Sequence, residues 1–208
     1  MAAKIENLAI VPFEWQSSAL EQGFYPEDLP EDWRLDYYCG QFRVVFIESS
    51  QWLGQSDSAQ TLRDELEDYL LESTRLIFKV DWAAQTREQV ENTFNQLANE
   101  VKDATLAFLV ASESDVPPSH LCGCPVTLFS STLVLPDAWQ AECGAAKLSG
   151  WPLALVDQIP EDNKQVVTWL QSVLQAWPDD VMVIALQGDA WQASTLTQAQ
   201  AVAELLGH

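Results

Sequence analysis

Six polar side chains stand at or just past the ends of apolar runs: Glu48, Lys79, Asp81, Asp157, Gln187 and Asp189. In an extended strand alternate residues share a face, so Ile77, Lys79 and Asp81 point one way along 75–81. The same parity groups Phe46 with Glu48, Leu155 with Asp157, and Ala185 with Gln187 and Asp189. One cation among several carboxylates can hold a small polar ligand or a hard divalent ion. The competing reading makes Lys79 a buried charge neutralised by Glu48 or Asp157, because an unpaired buried charge is costly. A Schiff-base lysine needs a depressed pKa, and neighbouring carboxylates push it the other way.

Five tryptophans, Trp15, Trp52, Trp82, Trp139 and Trp191, each follow a strand-like run within a few residues. Three share a local form, VDW (80–82), PDAW (136–139) and GDAW (188–191). Gathered at one rim they would form a stacking platform for sugar rings or bases; buried, they would be apolar lids. His120, Cys122 and Cys124 place an imidazole and two thiols within five residues. The Cys-x-Cys spacing lacks the second ligand pair a tetrahedral zinc site uses, so a turn is expected and no metal. Glycine-rich phosphate loops and nucleophile-elbow patterns are absent, and two histidines in the whole chain leave no triad.

These residues must be positioned by short apolar runs at 8–13, 43–48, 75–81, 105–111, 126–130, 152–157 and 181–187. Between them lie stretches of helical period. The segment 61–73 puts Leu62, Leu66, Tyr69 and Leu70 on one face, and 87–101 does so with Val90, Phe94, Leu97 and Val101. Segments 164–177 and 197–206 repeat the pattern. Strands too apolar for one wet face, alternating with helices, predict a mainly parallel sheet covered by helices. About seven strands in 208 residues without a linker predict one domain over 1–208, a shortened or incomplete TIM-like (β/α) barrel or an open sheet.

The stretch GFYPEDLPEDWRLDYYCGQFRVVFIESSQW (23–52) resembles the signature of the YecE-like family of unknown function: FYP, a leucine-proline pair, a helix ending in paired tyrosines, then a polar-ended strand. RLIFKVDWAAQT (75–86) looks like that family's third strand with its lysine. LVLPDAWQAECGAAKLSGWPLALVD (133–157) is similar to a family segment of loop, helix and strand, and 181–207 to its last strand and helix. The resemblance implies a TIM-like barrel with its site at the carboxyl ends of the strands. At polar family positions this chain carries Phe46, Glu48, Arg87, Leu135, Pro136, Gln187 and Gly188 instead. The resemblance therefore implies a non-catalytic or weakly active protein that binds a small polar ligand, without a cofactor.

Thirty-one acidic residues against ten basic ones give a net charge of −21, which repels phosphate backbones and anionic lipid headgroups. No nucleic-acid or membrane partner is expected. No run is long enough to span a bilayer, the start of the chain has no apolar leader, and four cysteines make no disulfide framework. A cytoplasmic protein is the expectation. Two further functions stay open: a phosphoester or glycoside hydrolase using paired carboxylates, and a protein-partner module using exposed aromatics.

Overall fold

Each of the seven apolar runs contains a strand, but the strands enter two sheets. The computed structural model describes residues 8–53, 62, 66, 72–176, 183–188 and 191–207. The chain divides into two units, one built from Val44–Trp151 and the other from Ile5–Arg43 with Pro152–His208.

In the second of these, β1 (Ala9–Pro12) carries the chain into a helical turn, α1 (Ser18–Glu21), a 3-10 turn (Glu31–Trp33) and α2 (Arg34–Cys39). The first unit opens with β2 (Val44–Ile47), α3 (Ser49–Trp52) and β3 (Arg75–Asp81). Thr86 then caps α4 (Arg87–Gln96): its hydroxyl accepts from Gln89 N–H at 3.2 Å, and Gln89 Oε1 accepts from Thr86 N–H at 2.8 Å. The periodic stretch 87–101 breaks at Leu97 and resumes as α5 (Asn99–Ala104), so Val90, Phe94, Leu97 and Val101 are all buried. Leu62 and Leu66 are buried and joined by a helical hydrogen bond of 3.0 Å; Tyr69 and Leu70 lie outside the described residues.

After β4 (Thr105–Ala111), β5 (His120–Leu121) and β6 (Cys124–Ser130) form a hairpin around Cys122 and Gly123, whose φ of 51° and 83° suit a tight two-residue turn. β7 (Trp139–Cys143) and β8 (Ala146–Gly150) form a second hairpin. The sheet order is β2-β3-β4-β6-β8-β7, parallel through β6 and antiparallel beyond it. Its core is aromatic: Trp52 meets Phe78 edge-on at 4.9 Å, and Phe94 and Phe108 pack at 5.1 Å. Gly150 is where β8 meets β6. A Cβ there would lie 2.1 Å from the Val126 carbonyl oxygen, at a φ of 118° that side chains avoid.

The second unit closes with β9 (Ala154–Val156), α6 (Asn163–Ala176), β10 (Val183–Leu186) and α7 (Ala193–Leu205). Its sheet is parallel, in the order β1-β10-β9. Val166 and Leu170 of α6, and Leu196, Ala199 and Ala203 of α7, are buried.

The TIM-like barrel expected from the sequence, and implied by the resemblance, is therefore corrected to a mixed α/β fold with two separate sheets. A barrel needs every strand paired on both sides in one closed ring. Here 8–13, 152–157 and 181–187 pair among themselves, and the larger sheet turns antiparallel at β8. Where the resemblance implies a helix after Trp139, the chain forms the β7–β8 hairpin.

Candidate functional site

Register explains the main charged pair. Ile47 pairs with Phe78, so the next step along both strands sets Glu48 beside Lys79 on one face. The Lys79 ammonium donates to Glu48 Oε1 at 2.5 Å. Neither group is sealed off: the Lys79 side chain is 17% exposed and that of Glu48 38%. The surrounding bonds fix both strand ends. Ser49 Oγ and Trp52 Nε1 donate to the Lys79 carbonyl at 2.9 and 3.1 Å, and Asp81 N–H donates to Ser49 Oγ at 3.2 Å. Glu48 N–H in turn donates to Gln51 Oε1 at 2.9 Å. Asp81 is exposed, and its Oδ1 accepts from Ala83 N–H at 3.1 Å.

An analogous pair ends the other sheet. Leu186 pairs with Val156, which sets Gln187 beside Asp157, and Gln187 Nε2 donates to Asp157 Oδ1 at 2.7 Å. Of the six polar residues expected at one mouth, Glu48, Lys79 and Asp81 stand at the strand ends of one sheet and Asp157 and Gln187 at those of the other. Asp189 lies outside the described residues.

The tryptophans divide by burial. Trp15, Trp52 and Trp191 are buried, whereas Trp82 and Trp139 are half-buried. Trp52 packs its ring against Phe78, Phe94 and Phe108, and Trp191 Nε1 donates to the Gly188 carbonyl at 2.8 Å. The Trp15 carbonyl accepts the Tyr25 hydroxyl at 2.5 Å. Burial pushes the Tyr25 phenol above its ordinary range, while Arg34, 5.6 Å over the ring, pulls the other way. A ring packed on several sides offers little face to a ligand, whereas Trp82 and Trp139 keep part of their surface in solvent.

Burial raises the Cys122 thiol to about 11 and also raises Cys124, which makes both poor thiolates at neutral pH. Among the described residues no three His, Cys, Asp or Glu side chains gather as metal ligands, and no helix is long and apolar enough to cross a membrane. A groove of about 420 Å³ runs along α6, lined by Lys164, Gln165, Thr168, Trp169 and Ser172, none of them among the residues above.

The sequence reading missed one polar cluster. At the carboxyl ends of β4 and β6, Glu113 accepts from Ser131 N–H at 2.9 Å and from the hydroxyls of Ser131, Thr132 and Ser130 at 2.7, 3.1 and 3.2 Å. Those bonds, led by the Ser131 backbone N–H, lower its pKa from 4.5 to about 2. The available signal was a run of hydroxyls, Ser130-Ser131-Thr132, starting on the last residue of a strand.

Fold and site together describe a mixed α/β protein with one ion pair and one amide–carboxylate pair at the carboxyl ends of its parallel strands. No family model matches the chain, and neither a curated protein nor a solved structure does.

Proposed function

We propose that the chain is a non-catalytic binding protein that takes a small zwitterionic ligand at the carboxyl ends of β2 and β3. The observation that carries this reading is the partly exposed Lys79–Glu48 pair, whose backbone is held in place by Ser49, Gln51 and Trp52. Side chains that stand on a backbone fixed in this way have less freedom left to lose when a ligand arrives. A ligand of one sign alone would exchange the existing pair for one like it and leave the opposite charge to water, with no net gain. A ligand with both charges replaces each partner in turn, its carboxylate on Lys79 and its ammonium on Glu48. Asp81, exposed on the same strand end, adds a second acceptor for the ammonium.

Isothermal titration with a panel of free α-amino acids tests this. At least one should bind, and its N-acetyl and methyl-ester derivatives should bind more weakly. Lys79→Met and Glu48→Gln should each abolish binding. Because Glu48 can be solvated once unpaired, Lys79→Met should cost only about 1 kcal/mol of stability, leaving a folded protein to assay. Unchanged binding in Lys79→Met, or no binding by any member of the panel, would sink the reading. Generic phosphoester and glycoside substrates should not turn over. Turnover abolished by Glu48→Gln or Asp157→Asn would instead identify a hydrolase working through paired carboxylates.

A further inference from the structure

Trp33 and Tyr37 stand about one helical turn apart on the 3-10 turn and α2, and they are 61% and 38% exposed. Tyr37 is the outer end of an aromatic cluster. Its ring lies 5.2 Å from Phe24 and 6.0 Å from Tyr25, and Phe24 in turn packs against Phe42 at 5.3 Å. The surface that Tyr37 presents is therefore anchored from beneath. Large, rigid aromatic side chains are the groups that most often dominate binding at protein interfaces.

The surroundings say what would cover this face. Glu27, Asp28, Glu31, Asp32 and Asp36 are all exposed. The only base in 24–42 is Arg34, which pairs with Glu21 at 2.9 Å. We propose that this face docks an arginine-bearing basic segment of a partner protein. A guanidinium stacks on an indole face and forks onto carboxylates, and Trp33 offers the first while Glu31 and Asp32 flank it with the second. The net charge of −21 draws cationic partners from a distance and repels nucleic acid and anionic lipid. Lysine satisfies the carboxylates but stacks less well, so the face distinguishes the two cations.

The test is calorimetric titration of the full chain with an oligoarginine peptide and an oligolysine peptide of equal length, at about 0.15 M salt, where the Debye length is ~8 Å. Oligoarginine should bind more tightly than oligolysine. Trp33→Ala, which alters no charge, should weaken oligoarginine binding about tenfold while leaving the melting temperature unchanged. Glu31→Gln combined with Asp32→Asn, which keeps the aromatic surface whole, should weaken both peptides. Equal affinity for the two peptides, or wild-type affinity in Trp33→Ala, would mean that diffuse charge alone attracts them and would overturn the proposal, as would no binding at all.

Discussion

Glu113 shows how far a few donors can change an exposed carboxylate. Its folded pKa of about 2 lies below the ordinary 4.5, so the charged form is favoured by folding. That contribution is complete above about pH 4.5 and is lost as the pH falls towards 2. Glu113→Gln should therefore flatten the acid limb of the stability curve across that window, measured by urea unfolding at a series of pH values. Parallel curves for the two proteins would show that the hydroxyl cluster contributes nothing. The site itself was half legible. Strand parity alone set Glu48 and Lys79 on matching faces, and alternation is a local property of the chain. Which strands stand side by side is not local. Lys79 finds Glu48 because β2 and β3 are neighbours, while Asp157 belongs to a different sheet and pairs with Gln187.

At the scale of elements, the legible parts are those whose signals are short-range. The Thr86–Gln89 capping box and the apolar face of α4 can be read directly from the residues. The β7–β8 hairpin cannot. Residues 139–150, WQAECGAAKLSG, hold three alanines, a glutamate and a lysine, types that favour helix, and they become strands because β8 pairs with β6 and β7 with β8. Gly150 is the residue that lets this pairing happen, since its Cα passes close to the Val126 carbonyl. Gly150→Ala should cost about 2–3 kcal/mol, combining a disfavoured φ with a clash against backbone. Chemical denaturation would register this as a lower midpoint. A loss under about 0.5 kcal/mol, the range of an ordinary surface change, would mean that β8 can shift away from β6 freely.

For the whole molecule, charge and topology each carry a consequence. With a net charge of −21, repulsion among the carboxylates opposes the folded state, and salt screens it. Raising sodium chloride from about 10 mM to 1 M shortens the Debye length from ~30 to ~3 Å. The melting temperature should rise, by about 2–4 °C for each kcal/mol of repulsion removed. A flat or falling melting temperature would show that the acidic residues are already balanced locally. The division into two sheets was invisible in the sequence because parallel strands look equally apolar in a barrel and in an open sheet. It matters most during synthesis. β1 is made early, yet its partner β10 is completed only once the ribosome has passed Leu186. At roughly 5–20 residues per second, the wait lasts on the order of 10–35 seconds. The unit from Val44 to Trp151 is complete in sequence before that wait ends, so it has time to fold first, as an insertion inside an unfinished neighbour. During this interval the nascent chain presents an apolar strand, AIVP, with its backbone unpaired by β10. A holding chaperone would meet this strand, and a ribosome stalled before Val183 would leave a chain with the sequence of one unit finished and the other lacking its central strand.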